Sequence, residues 1–542
     1  MSTQQAGKMK WTLMLTTLVA VGGRLETSEA ANPGFKARIT KSGIDYANDV
    51  AVKAITKVAS TITFPDISGK ASGVSYWVNN IRVTSFTPPA SVIGLVPGQG
   101  LQWTASGAGA QVEGSFRYKA SIIKGSGSFT AAISGVGFDL SIDVGVDASG
   151  RPSISTRKCS SSVGSVNIKF HGSIAWLLNL LKGQVEKTIR NALPTQMCQL
   201  ATKAVNTDAE RKLADIPITV AFDKFLLDYS MLQAPLFSAA YMETFHKGEI
   251  YWKTTPSEHA PFPAPPMPET GATDRMLYLW VSDFMFNTLA YAAQTNRYLQ
   301  YNITAPDLPA SARGFLNTTC AGVIPTCIGS LIPAIGQKYP NSLVDLRLFN
   351  GIAPVMDVSS AGVVVNTSGV IELYVHKPGT NDGEVFLVSF RANLTFQTDV
   401  SIIDSVIHAK ISYLKLNLKT ARSEVGPISD QFIDFLIKNA LDLYLIPKLN
   451  DYGSKGITLP FPKEVSIKNA AIILAQDTIV IATDVAYTPS EQRDVDGALK
   501  FVPYDSIGDV KIDNKNIGDV KIGNDNIDDV TIGDDNINAT RV

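Results

Sequence analysis

Apolar residues recur at steps of three and four at two places in the first half of the chain, and at steps of two between them. Over 42–62, Ile44, Ala47, Ala51, Ile55, Val58 and Ile62 form one stripe, which predicts an amphipathic helix. Ile174, Leu177, Leu181, Val185, Ile189 and Leu193 form another, predicting a helix over 173–193 that Pro194 should kink or end. Between the stripes, Phe138, Leu140, Ile142, Val144 and Val146 alternate with Asp139, Ser141, Asp143 and Gly145, the pattern of a strand with one buried face. The second half repeats the plan. Segments 327–339 and 428–447 fill the two helix positions, and Phe386, Val388, Phe390, Ala392, Leu394 and Phe396 alternate along a strand that turns Asn393 to the wet side.

The halves meet at 256–268, where six prolines in thirteen residues exclude helix and central strand and read as a linker. Soon after it, Met276–Ala293 is polar only at Ser282, Asp283, Asn287 and Thr288, an apolar run long enough to raise the question of a membrane span. The end of the chain differs in kind. From Asp505 a ten-residue unit recurs with an Ile, Val, Ile set (Ile507, Val510, Ile512, then Ile517, Val520, Ile522). Such units fit a disordered acidic appendage or a marginal solenoid, with calcium binding by the aspartates a third option.

At 542 residues with 18% charged and 45% hydrophobic side chains, the composition is that of a globular protein. The net charge of −1 hides an uneven distribution. Residues 31–200 carry 17 Lys/Arg against 8 Asp/Glu, or +9; residues 505–542 carry 9 Asp against 4 Lys/Arg, or −5. The basic front end suggests an anionic partner. Lys8 and Lys10 precede the apolar stretch 11–21, which is too short to span and is followed by Ser28–Ala30; residues 1–30 read as a signal peptide and the protein as secreted. Four cysteines in a secreted chain read as two disulfides. Cys159 with Cys198 and Cys320 with Cys327 are the local pairings among three possible connectivities. Sequons at Asn302, Asn317, Asn366, Asn393 and Asn538 agree with that route.

Catalytic vocabulary is sparse. The five histidines show no metal-ligand spacing, and there is no nucleophile elbow or phosphate loop, so neither a metal site nor an enzyme is expected. His259 reads as a solvated linker residue and His408 as an outward-facing strand residue. Long amphipathic helices on curved sheets can instead leave an apolar groove suited to acyl chains, at about 0.8 kcal/mol per buried methylene. Periodicity alone is more simply met by side chains that pack against each other.

Several stretches are specific enough to carry a resemblance. They are "ANPGFKARITKSGIDYA" (31–47), "VPGQGLQW" (96–103), Cys159 with Cys198, "GEIYW" (248–252), the proline segment and, above all, "DRMLYLWVSDFMFNTLAY" (274–291). In these the chain resembles the family of bactericidal permeability-increasing protein and lipopolysaccharide-binding protein, over nearly all of 31–487. The resemblance implies an α+β fold: two similar elongated barrels of twisted antiparallel sheet, each wrapped around a long helix and joined by a central sheet into a boomerang. It implies a first barrel at 31–250, a linker at 251–274, a second barrel at 275–490 and a tail, 491–542, without counterpart. The apolar run is then a strand entering the central sheet, a turn at Ser282–Asp283 and a short packed segment. Asp283 and Asn287 would in any case be costly in hydrocarbon.

The resemblance further implies a secreted innate-immune protein that binds lipopolysaccharide through lipid A and neutralises or permeabilises Gram-negative bacteria at their outer membrane surface. The tip segments are 113–127 and 66–77, which supply Arg117, Lys119, Lys124 and Lys70, with Phe116 beside the cations. An apolar pocket holding a phospholipid, with no other cofactor, would be lined by Ile44, Ala51, Ile55 and Val58 on the first helix and Trp176, Leu177, Leu180 and Val185 on the second. Four tip cations are fewer than the family's strongly basic pattern, which keeps a phospholipid carrier or transfer protein as the alternative. A secreted hydrolase without a known motif is a third reading, and no nucleic-acid partner is expected.

Overall fold

The structure, a computed structural model, describes residues 31–488 apart from 60–65, 72, 172–174, 321–326, 380–382, 460, 462 and 463. The signal-peptide segment, Ile62, Ile174, the repeat tail and Asn538 lie outside the described residues. β1 (Phe35–Thr40) leads directly into α1 (Lys41–Ala59). Seven strands then build the first large sheet: β2 (Ile67–Ala71), β3 (Val74–Thr87), β4 (Ala90–Val96), β5 (Gly100–Ala120), β6 (Ile123–Val146), β7 (Pro152–Ser162) and β8 (Ser165–His171). Neighbours run β2-β3-β5-β6-β7, with β4 against β5 and β8 against β6, all antiparallel.

The helix α2 (Ala175–Lys203) runs through Pro194 rather than ending there. A proline removes one helical N–H and crowds the preceding turn. Here β7 holds the far half in line: Cys198 is disulfide-bonded to Cys159, and the Ser161 hydroxyl donates to the Pro194 carbonyl at 2.6 Å. Ile189 and Leu193 sink into the inner face of the sheet among Val78, Phe116, Phe129 and Ile168. The stripe expected on α1 is rotated: Ile44 and Asn48 are buried, Ala51 is half-buried and Ala47 is exposed. Asn48 is tolerated inside because its amide donates to the Ser91 carbonyl (2.9 Å) while the Ser91 hydroxyl donates back to its Oδ1 (2.6 Å).

Five short strands follow, β9 (Thr219–Phe222), β10 (Phe225–Asp228), β11 (Leu236–Phe237), β12 (Tyr241–His246) and β13 (Glu249–Trp252). The second half opens with β14 (Leu277–Ser282) and α3 (Asp283–Thr295). A second seven-stranded sheet is made of β15 (Tyr301–Ile303), β16 (Leu343–Asn350), β17 (Val355–Ser359), β18 (Gly362–His376), β19 (Val385–Ile403), β20 (Val406–Ser423) and β21 (Ile457–Thr458). Asn393 is exposed on β19, as its alternation requires. α4 (Asp430–Ala440), capped by Ser429, lays Phe432 and Leu436 on Leu387 and Phe390 of that sheet. The helix expected over 327–339 is two short ones, Ile328–Leu331 and Pro333–Lys338, because a proline disfavours helical backbone at the residue before it. The Cys320–Cys327 disulfide lies at their start.

β22 (Val465–Ala475) and β23 (Thr478–Tyr487) complete a central sheet ordered β11-β12-β1-β14-β23-β22, which draws strands from both halves. All six residues of β14 are buried. Leu277, Leu279 and Val281 enter the core on one face, while Tyr278 and Trp280 enter a cluster on the other that the linker residues Met267 and Ala272 cover. The apolar run is therefore internal, but its second part is a full helix rather than a turn and a short segment. The Ser282 hydroxyl accepts the Phe284 N–H at 3.2 Å and caps α3. Among the described residues no helix is long and apolar enough to cross a membrane.

The end of the linker is likewise held rather than free. On β1, Phe35, Ala37 and Ile39 face the core and Lys36 and Arg38 face the linker. Arg38 is 0% exposed, opposite Glu243 in the ladder, and donates to it from Nε and Nη2 at 2.9 and 2.7 Å. It also donates to the Ala272 carbonyl (3.0 Å) and pairs with Glu269, while Lys36 Nζ lies 3.1 Å from Glu269 and 4.1 Å above the Trp280 ring. Burial pushes the Glu269 carboxyl up, but hydrogen bonds from Arg38, the Gly271 N–H and Lys36 outweigh it and bring the pKa down to about 2. Two of the cations that made the front end look basic are thus neutralised inside the molecule. His259, in the same linker, is not merely solvated: it sits 3.3 Å from Glu249.

Candidate functional site

The four tip cations stand on the outer face of the first sheet. The segment Glu113–Ala120 alternates, with Phe116 and Tyr118 pointing inward and Arg117 and Lys119 outward. Its antiparallel partner carries glycine where those aromatics need room: Tyr118 faces Gly125 and Phe116 faces Gly127. A Cβ on Gly125 would lie 2.4 Å from the Tyr118 hydroxyl, and one on Gly127 2.5 Å from the His171 carbonyl and 2.7 Å from the Phe116 ring. Gly69 under Tyr76 and Gly114 under Phe129 repeat the device. Aromatic rings lying flat over glycines fill the inner layer, which fixes the strands and leaves the opposite face free for long polar side chains.

Cross-strand register gathers those side chains into two rows. Lys70, Ser75, Lys119 and Lys124 are paired in succession across β2, β3, β5 and β6. Ser68, Trp77, Arg117 and Ser126 form the adjacent row. Directly opposed residues share a face with their Cβ atoms about 4.5–5.5 Å apart. Arg117, Lys119 and Lys124, together with Trp77, Asn79, Tyr118, Gly125 and Ser126, line a cleft of about 630 Å³. No carboxylate among the described residues pairs with any of the four cations. Glu113, two rows away, is taken by Arg82.

Phe116 is not beside the cations. It is 1% exposed and packs edge-on against Phe170 with ring centroids 5.1 Å apart. The aromatic in the cation face is Trp77, 44% exposed and opposite Arg117. Period-two phase alone separates them: Phe116 is out of step with Arg117 and Lys119, whereas Trp77 is out of step with the inward Val74, Tyr76 and Val78. The two tip segments are mostly strand: 67–71 and 74–77 lie in β2 and β3, and 113–120 and 123–127 in β5 and β6.

Of the residues expected to line an apolar pocket, Ile44 is buried and Ala51 half-buried on α1. The side chains of Ile55, Val58, Trp176, Leu177, Leu180 and Val185 lie outside the described residues. Among the sequons, Asn302, Asn366 and Asn393 are exposed and Asn317 is half-buried. No group of three or more potential metal ligands occurs among the described residues.

Two family models match the chain: the N-terminal domain of the LBP / BPI / CETP family over residues 43–207 and its C-terminal domain over 221–487. The bactericidal permeability-increasing protein of Sebastes schlegelii is 29% identical over 487 residues, covering 88% of this chain and all of the relative. The human lipopolysaccharide-binding protein is 28% identical over 468 residues, covering 84% of this chain and 94% of its own. A crystal structure of lipopolysaccharide binding protein superposes with a TM-score of 0.59 at 26% identity, over 85% of this chain and 100% of that one.

Proposed function

Since the chain belongs to the LBP / BPI / CETP family, we propose that it is a secreted protein that binds lipopolysaccharide, holding the phosphates of lipid A on the outer face of β2, β3, β5 and β6. The observation that carries this reading is the Lys119–Lys124 pair. Two lysines directly opposed in an antiparallel ladder repel each other and cost stability. Here Lys70 and Arg117 add to that repulsion and no carboxylate among the described residues relieves it. A phosphate set between the rows accepts charge-assisted hydrogen bonds from two or three of these cations. The cleft is open to solvent, so binding is salt-sensitive. Names borne by the relatives, bactericidal permeability-increasing protein and lipopolysaccharide-binding protein, point the same way. Neutralising or permeabilising Gram-negative bacteria would follow from occupation of this face at the outer membrane surface.

The second reading is a phospholipid carrier of the same fold, favoured by the small number of cations on the face. A titration of the purified protein with lipid A and with zwitterionic phospholipid vesicles, at low and physiological salt, separates the two. Lipid A is expected to bind more tightly, and less so as salt rises. The Arg117→Ala, Lys119→Ala, Lys124→Ala triple variant is expected to weaken that binding roughly threefold to a hundredfold, from exposed charge contacts of about 0.2–1 kcal/mol each. Normal lipid A binding by the triple variant would overturn the assignment; equal binding of both lipids would favour the carrier.

A further inference from the structure

The like-charge pairing seen on the first sheet recurs on the second. Arg391 of β19 is directly opposed to Lys419 of β20, and Lys415 lies on the same face four residues before Lys419. All three are exposed, and no carboxylate among the described residues pairs with them. Glu384 and Glu424, beside the strand ends, are taken by Arg347 and Arg422. Uncompensated charge alone would make this a second anion-binding face. It differs from the first in carrying two acceptors for sugar.

Asn366-Thr367-Ser368 on β18 and Asn393-Leu394-Thr395 on β19 are N-glycosylation motifs. The ladder interlocks them: Asn366 is opposite Thr395 and Ser368 is opposite Asn393, so each acceptor faces the hydroxyl residue of the other motif. The Thr395 hydroxyl donates to Asn366 Oδ1 at 2.8 Å, which holds that amide by its oxygen rather than by the nitrogen that takes sugar. Ala392, Leu394, Leu416 and Leu418 pack inward, so both asparagines stand on the wet side, where they are exposed. Asn393 is the centre of the face. Asn417 is opposite it, Arg391 and Thr395 lie two residues to either side, and Lys415 and Lys419 lie diagonally across, about 7–8 Å away.

We infer that this is the glycan-bearing face of the molecule: N-linked oligosaccharides on Asn366 and Asn393 lie over Arg391, Lys415 and Lys419 and close them to anionic ligands. Such chains are bulky and solubilising, and their first sugars span the spacing between these side chains. In each transfer the asparagine Nδ2 bonds to the anomeric carbon of an oligosaccharide carried on a lipid diphosphate. The bond from that carbon to the diphosphate oxygen breaks, the diphosphate leaves with the electron pair, and the amide gives up one proton. Once β18 and β19 pair, Thr395 commits its hydroxyl to Asn366 and not to its own motif, so transfer precedes pairing. The inference rests on the secretion proposed above, not on the identity of the anion held by the first sheet.

The test uses the full-length protein secreted from a eukaryotic host restricted to high-mannose chains. Release of the sugars by peptide N-glycosidase in heavy-oxygen water converts each occupied asparagine to a labelled aspartate, which peptide mass spectrometry locates. Label at both Asn366 and Asn393 is expected. Either one left unmodified in most of the secreted protein would overturn the inference and leave the lipid A reading standing. A chain retained in the cell without sugar would sink the proposed secretion as well. Shielding is read with dextran sulfate as the anionic probe, in the Arg117→Ala, Lys119→Ala, Lys124→Ala background so that the first face is silent. Trimming the folded protein to single N-acetylglucosamines with an endoglycosidase is expected to raise affinity about tenfold, the order that three exposed cations supply. The Asn366→Gln, Asn393→Gln variant should show the same gain. Adding Arg391→Ala, Lys415→Ala and Lys419→Ala should abolish it. Equal affinity before and after trimming would overturn the shield, and so would a gain that persists without these three cations.

Discussion

Lys36 and Arg38 lie two residues apart on β1, and Arg117 and Lys119 lie two apart on β5. By composition and spacing the pairs are equivalent, yet the molecule uses them in opposite ways. The first pair is buried beneath the linker, with Glu243 and Glu269 for charge and Tyr241 and Trp280 for cation–π contact. The second pair is exposed, Lys119 faces Lys124 across the ladder, and no carboxylate among the described residues pairs with either. A count of cations therefore does not locate a binding face. What distinguishes one is charge that the rest of the fold leaves uncompensated, held in place by a well-packed inner layer. Asp283 is a third case, buried without a cationic partner among the described residues. Burial, and then the nearby Asp477, push its carboxyl up to about 6.

The largest effect is expected from breaking the compensated pair. Arg38→Ala leaves Glu243 buried beside Lys36 alone and is expected to cost about 3–5 kcal/mol in denaturant unfolding, with lipid A affinity of the folded fraction unchanged. A loss below 1 kcal/mol would mean that the linker clamp is not structural. Next comes the layer under the cation face. Gly127→Ala sets a methyl against the His171 carbonyl and the Phe116 ring, and is expected to cost about 1–3 kcal/mol and to weaken lipid A binding by shifting the rows above.

Stability against pH sharpens the contrast between the buried carboxyl of Asp283 and the half-exposed one of Glu269. Asp283 holds its proton more tightly folded than unfolded, so its contribution falls as pH rises from about 3.8 to about 6 and is level above that. Asp283→Asn should remove this slope and raise stability above pH 6 by about 3 kcal/mol, read from melting temperatures across that range. Glu269 has the opposite sign: its contribution is complete above its unfolded value near 4.5 and is lost as pH falls toward about 2. The smallest effect is the most discriminating. Lys124→Glu would set opposite charges across the ladder from Lys119, with an expected gain of about 0.2–1 kcal/mol in stability and a loss of lipid A binding. Stability and affinity moving together would contradict the reading of this face as a binding surface.

Much of the site was legible in the chain. Period-two alternation places Arg117 and Lys119 on one face and Tyr118 on the other, and the same rule puts Trp77 outward and Phe116 inward. The resemblance nevertheless implies Phe116 as the aromatic beside the cations, and the phase of the strand turns it inward. Alternating Gly125 and Gly127 opposite two aromatics was a further signal of the inner layer. The rotation of α1 was not legible. Asn48 looks like a solvent residue until Ser91, 43 positions away, offers its carbonyl and hydroxyl.

The sequence by itself determined the alternation of strands, the helix positions near 42–62, 173–193 and 428–447, and the local pairings Cys159–Cys198 and Cys320–Cys327 as one of three connectivities. These follow from side-chain periodicity and from the short chain separation of the partners, which local physics governs. Only the tertiary structure decided which cations are free. Register across four strands brings Lys70 to Lys119 and Lys124, and long-range packing brings Glu269 to Lys36 and Arg38 over more than two hundred residues. Charge compensation depends on distances of a few ångströms between segments far apart in the chain, and no local pattern encodes those distances.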